Sequence, residues 1–289
     1  MKKLYWSFLL LLTLPCSLLA QRVVEVSYSI DRQGNYVFSC MNKAFCNYVL
    51  NVEFTTLENG RSDHALPFEG EVKPGSNKLF IITPDKGKDL QLKYKSSYRK
   101  GCLHPYVKSD FTYLLPITPG KTAQAYHIVL TTGTPDTGYA IRLKMKQGDT
   151  IYAARRGTVT AVDISNTEND AGASTTSNWN YVEIVQADCS FAQYGVLKKD
   201  GAFVKPGQVV EAGTPIGLVG GDQYGRGSDI RFSVTYYNDQ QNTVLPLSFW
   251  TKGNGKGTLR HGATYTSEFP KNLLTQEQPK APASHKTKH

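Results

Sequence analysis

From residue 21 onward the chain is a series of short runs in which apolar and polar residues alternate. "VVEVSYSI", "YVLNVEF" and "KLFIITP" are typical, and "DRQGN", "ENGRSD", "KPGSN" and "PDKGKD" separate such runs. A period of two sends successive side chains to opposite faces of a strand, so each run offers one face to a core. Apolar spacing of the helical kind is nearly absent. Regular short strands with turn residues between them predict an all-β protein, with an N-terminal, Ig-like β-sandwich over residues 21–112.

The stretch "YLLPITPGKTAQAYH" carries Pro116, Pro119 and Gly120 and reads as the entry to a second unit over residues 113–268. That unit is also β-rich. "TIYAARRGTVTAVDI" holds two strands with a turn at Arg156-Gly157, and "YVEIVQA" and "FAQYGVL" form a hairpin with "DCS" at its bend. The polar segment "SNTENDAGASTTSNWN" is too hydrophilic for a core and long enough to border a cleft. Residues 269–289 end in "QEQPKAPASHKTKH" and are expected to be a disordered basic tail.

The first twenty residues change the compartment. "MKK", then "FLLLLTLP", then "CSLLA" before Gln21 have the charge, apolar run and small-residue end of a signal peptide cut after Ala20. The expected location is outside the cytoplasm, in the periplasm or cell envelope, with no transmembrane anchor after cleavage. The whole chain carries +9; removing Lys2 and Lys3 leaves 31 basic and 24 acidic residues, or +7. That charge suits an anionic envelope surface and equally suits ordinary solubility. Nothing reads as a nucleic-acid motif. Four cysteines remain, and export permits disulfides. Cys40 and Cys46 flank "MNKAF" and are expected to bridge across a bend, while the pairing of Cys102 and Cys189 stays open.

Four stretches of the second unit carry a resemblance: "TGYAIRLKM", "QGDTIYAARRGTVTAV", the run from "NYVEIVQADCS" to "TPIGLVGG", and "GRGSDIRFSV". In order and spacing, from about Tyr113 to Phe249, they resemble the lysostaphin-type (LytM-like) zinc endopeptidases, whose β-core is the duplicated hybrid motif. Active members of that family build a zinc site from a His-x-x-x-Asp segment and the last His of a His-x-His strand. The first His of that pair and another in a Tyr-x-His-Leu segment handle the proton and the water. Mapped here, those positions fall on Gly138, Arg142, Asp229, Arg231 and, in "YGVL", Val196. Arginine offers only donors and stays protonated, so it does not ligate zinc. The six histidines lie outside the motif. The resemblance therefore implies a catalytically degenerate member, with no catalytic residue, no metal ligand and no cofactor.

Two readings of the altered groove follow. In one, Asp229 pairs with an arginine and fills the space of a lost ion. In the other, two arginines and one carboxylate leave a positive seat for a carboxylate ligand. The expected function is a non-catalytic, peptidase-like envelope protein that binds peptidoglycan, or that regulates a cell-wall hydrolase as murein hydrolase activators of this family do by docking on amidases. The alternative is a zinc metalloendopeptidase that hydrolyses peptidoglycan cross-links. "FVKPGQVVEAGTPIGLVG" also resembles lipoyl- and biotinyl-type carrier hairpins, but it lacks their lysine at a tight tip.

Overall fold

The computed structural model describes residues 22–108, 110–129, 139–165, 179–221, 228–237 and 242–277. The first unit contains β1 (Val24–Ile30), β2 (Tyr36–Asn42), β3 (Tyr48–Glu58), β4 (Gly60–Ser62), β5 (Phe68–Val72), β6 (Gly75–Pro84) and β7 (Gln91–Lys100). They form two sheets, in the orders β1-β2-β6-β4 and β5-β3-β7. Both sheets send alternate residues into one core, with Phe38, Phe80 and Ile82 from the first meeting Leu50, Val52 and Val72 from the second. Phe38 stacks on Phe80 at 4.8 Å and meets Phe54 of the opposite sheet edge-on at 5.5 Å. The period-two runs of the sequence are these strands.

The second unit contains β8 (Thr112–Leu114), β9 (Thr122–Val129), β10 (Tyr139–Lys144), β11 (Thr150–Tyr152), β12 (Gly157–Asp163), β13 (Tyr181–Val185), β14 (Phe191–Gly195) and β15 (Leu197–Ala202). It continues through β16 (Val209–Val210), β17 (Pro215–Val219), β18 (Asp229–Tyr237), β19 (Asn242–Val244), β20 (Ser248–Thr251), β21 (Gly255–Gly257), β22 (Thr264–Thr266) and the one-turn helix α1 (Lys271–Leu274). The main sheet runs β16-β12-β13-β14-β18-β10-β9-β22, with β19 added on β18. One face buries Leu143, Ile184, Tyr194, Ile230, Phe232 and Val234 against the two small sheets β11-β17-β15 and β21-β20-β8. The opposite face carries the intervening residues and is the face of interest below.

The cysteines pair differently from the expectation. Cys102 and Cys189 form the disulfide, with Cα atoms 6.0 Å apart, and Cys40 and Cys46 are free and buried. The reason is strand geometry. Cys40 lies on the inward face of β2, between Phe38 and Asn42, and belongs to the first core. Cys46 lies instead in a cavity wall that it shares with Cys102 and Cys189. The bend is closed by Asn42, whose side-chain amide donates to the carbonyls of Cys46 and Val72 at 3.0 and 3.1 Å. Burial pushes both thiols up to about 11.

The disulfide ties the segment after β7 to the turn between β13 and β14. Beside it, Lys100 donates to Glu183 of β13 and lies over the Phe191 ring. The same turn supplies Asp188 to Arg155, which is 1% exposed. The Arg155 guanidinium donates to Asp188 and Gln186 at 2.8 and 2.9 Å, and to both carboxylate oxygens of Glu277 at 2.8 and 2.6 Å. It also sits 3.8 Å from the Phe111 ring centre. A buried guanidinium requires such counter-charges. They explain why the C-terminal segment, expected to be disordered from residue 269, is packed as far as Glu277. Phe269 meets Tyr152 edge-on at 5.4 Å within that segment. Arg155 escaped the sequence reading because it abuts the turn at Arg156-Gly157. Gly157 is there because a Cβ would come 2.4 Å from the Val185 carbonyl oxygen.

Candidate functional site

The outward face of the main sheet is set by register. Arg142 of β10 lies directly opposite Arg231 of β18, and Lys144 lies opposite Asp229. On the other side of β18, Gly195 faces Arg231 and Gln193 faces Ser233. On the far side of β10, Tyr126 faces Arg142. Alternation puts Asp229, Arg231, Ser233, Thr235 and Tyr237 on this face while Ile230, Phe232 and Val234 enter the core. Gly195 lies close against its neighbours. A Cβ there would already meet Trp179 at 3.5 Å and the Arg231 side chain at 3.9 Å.

Three of the five residues singled out in the sequence converge. Asp229 is 5% exposed and lies between the two arginines. Its carboxylate is 3.5 Å from Arg142 Nε and 3.9 Å from Arg231 Nε. Each guanidinium also stacks on a ring. Arg231 lies 3.5 Å from the Trp179 ring centre, and Arg142 lies 4.6 Å from that of Tyr126. Stacking holds the planar groups in place and contributes about 0.5–2 kcal/mol each. Val196 does not join them. It is buried at the bend after β14, with φ of 70°, and its carbonyl accepts the Gly220 N–H at 2.8 Å. Gly138 lies outside the described residues.

From Arg231 the face continues as a groove of about 220 Å³, lined by Trp179, Glu183, Gln193, Ser233 and Tyr237 among others. Glu183 is anchored by Lys100 and by the Thr160 hydroxyl, which donates at 2.5 Å. Burial, and then the Glu183 charge, raises Tyr181 and Tyr237, so both phenols stay protonated at neutral pH. Trp179 is the groove residue that single-residue reasoning missed. Its signal was present, as the one aromatic of "SNTENDAGASTTSNWN", the segment expected to border a cleft. Residues 166–178 of that segment lie outside the described residues.

A zinc ion does not suit this donor set. Arg142 and Arg231 bring N–H donors and positive charge, and Asp229 alone offers lone pairs. Among the described residues no group of three or more His, Cys, Asp and Glu side chains comes together.

Comparison with known proteins agrees with the frame. Residues 136–243 match the model of Peptidase family M23. No curated protein matches this chain. Among solved structures, the catalytic domain of lysostaphin from Staphylococcus simulans is 20% identical, over 42% of this chain and 86% of its own, with a TM-score of 0.30. The catalytic domain of the prophage-encoded M23 protein EnpA from Enterococcus faecalis, a point mutant, is 24% identical over 50% of this chain and 95% of its own, with a TM-score of 0.31. Csd3 of Helicobacter pylori is 12% identical over 81% and 77%, with a TM-score of 0.32. The match to Peptidase family M23 thus falls within the second unit, over residues 136–243.

Proposed function

We propose that the chain is a non-catalytic, peptidase-like protein of the cell envelope, and that its groove binds peptidoglycan. One observation carries the reading: Asp229 is buried between two ring-stacked arginines at the positions where the family resemblance expects zinc chemistry. The cluster has one charge more of positive than of negative sign. Guanidinium forks match planar carboxylates, and peptidoglycan stem peptides carry carboxylates. The polar groove beyond Arg231 gives such a chain amide and hydroxyl partners. Residues 1–20 have the features of an export signal, in keeping with this location.

The test is binding to isolated cell-wall sacculi by the mature protein and by the double variant Arg142→Ala/Arg231→Ala, at low and moderate salt. Weaker sedimentation of the variant with an unchanged thermal melt supports the proposal. Equal sedimentation at both salts overturns it. If neither protein sediments but the wild type alone captures a purified envelope amidase, the groove regulates a hydrolase instead. Tight stoichiometric zinc with cleavage of cross-links would establish the peptidase reading.

A further inference from the structure

A second basic site lies at the C-terminal end of β10. It is a cavity of about 490 Å³ lined by Lys121, Lys144, Lys146, Asp149, Ile117 and Met145 among others. Two tight turns frame it. One spans residues 118–121, closed by the Lys121 N–H donating to Thr118 at 3.0 Å. The other spans 146–149, closed by Asp149 N–H to Lys146 at 3.0 Å and by the Lys146 N–H donating to the Asp149 carboxylate at 3.0 Å. Gly120 and Gly148 sit in these turns with φ of 83° and 82°, conformations that glycine adopts without strain. Both turns are pinned to neighbouring chain: the Gly120 N–H donates to Ser267 and the Gly148 N–H to Val219, each at 2.9 Å. The lysines are therefore presented by a fixed frame.

The charge does not balance locally. Asp149 pairs with Lys121 at 2.6 Å. Among the described residues, neither Lys144 nor Lys146 has an ion-pair partner, and both are exposed. Three ammonium groups against one carboxylate leave two positive charges around one cavity. Like charges held together favour a counter-ion that meets several at once. Ammonium groups act as compact point charges, which suit the tetrahedral oxygens of phosphate, whereas the guanidinium forks at Arg142 and Arg231 suit planar carboxylates. We infer that this cavity binds a phosphate group of at least two negative charges. The cavity adjoins the arginine cluster, since Lys144 lies opposite Asp229, but its lysines are separate from Arg142 and Arg231 and the inference does not depend on the function proposed for them.

Pyrophosphate is the probe, titrated calorimetrically into the mature wild-type protein, into Lys144→Ala/Lys146→Ala and into Arg142→Ala/Arg231→Ala. The expected result is saturable binding of one pyrophosphate per chain, weakened at least about tenfold in the lysine variant, retained in the arginine variant, and reduced by added salt. A parallel arm floats the proteins on phosphatidylcholine vesicles with and without phosphatidic acid. Binding to both probes, lost in the lysine variant, assigns the shared chemistry to either source. Binding to the vesicles alone assigns it to a lipid headgroup. No binding to either probe overturns the inference, as does binding that the lysine variant keeps or the arginine variant loses. Both lysines are exposed, so a thermal melt equal to wild type is expected and separates lost binding from lost fold.

Discussion

Arg155 and Arg156 are adjacent in sequence and opposite in environment, so replacing each by alanine is a matched test of the buried network. Arg155→Ala removes the partner of Asp188 and Glu277, whose side chains are only 3% and 12% exposed. Removing one partner of a buried pair strands the other charge and costs about 3–5 kcal/mol. Arg156 pairs with Glu211 across 3.0 Å at side-chain exposures of 28% and 41%. Such a pair is worth up to ~1 kcal/mol. In a protein of this size those losses correspond to roughly 6–20 °C and 2–4 °C of Tm. The pH dependence has a definite sign. Burial works to raise the Asp188 carboxyl, but hydrogen bonds from Ser190, Arg155 and the Lys108 N–H outweigh it and hold it below the ordinary range. A depressed carboxyl stabilises the fold above its unfolded pKa of about 3.9 and loses that contribution as pH falls through the folded value. Without Arg155 the folded value rises, and protonation relieves the stranded charge. The stability gap between wild type and Arg155→Ala is thus widest near neutrality and narrows toward pH ~4. Denaturant unfolding at a series of pH values measures it. An Arg155→Ala loss no larger than that of Arg156→Ala would refute the reasoning.

Peptide mapping of the unreduced protein is expected to show the Cys102–Cys189 link, with Cys40 and Cys46 alkylated only after unfolding; a Cys40–Cys46 bridge would contradict the fold. Because that link spans 87 residues, reduction is expected to cost about 4–5 kcal/mol on chain-entropy grounds, read as a lower denaturation midpoint. Elemental analysis of mature protein supplied with zinc is expected to find well under one zinc per chain; one zinc per chain, lost when a histidine is replaced, would reverse the assignment. In a Trp250→Phe background, Trp179 fluorescence is expected to change when sacculus fragments bind, and Arg231→Ala is expected to abolish that change; an unresponsive signal during saturable binding would place the ligand elsewhere.

Strand periodicity alone made most of the fold legible. "YVLNVEF" and "KLFIITP" alternate because each strand has one face on a core, and both are strands here. That Asp229 and Arg231 share a face was legible for the same reason, since they are two apart on β18; that Arg142 lies on a neighbouring strand was implied by the family resemblance. The disulfide was not legible. Short spacing made Cys40 and Cys46 look like partners, yet a period-two count from Phe38 already sends Cys40 into a core, and no local pattern shows that Cys102 approaches a turn 87 residues away. Arg155 was illegible for a related reason. "AARRG" does not say which arginine is buried, because its counter-charges, Asp188 and Glu277, come from remote segments. "FPKNLLTQE" read as the start of a tail, and its four-residue helix indeed has no buried residue; its anchors are Phe269 and Glu277.

The junction of the two units also has a mechanical meaning. The first unit is held covalently at Cys102 to the turn that presents Asp188, and the C-terminal segment is held at Glu277 to the arginine that Asp188 grips. Tension between the N-terminal sandwich and the C-terminal segment therefore has a path through the disulfide turn and Arg155. That path does not pass along β10 itself. A load on the C-terminal segment is expected to reach the Glu277–Arg155 clasp before it reaches Arg142 and Arg231.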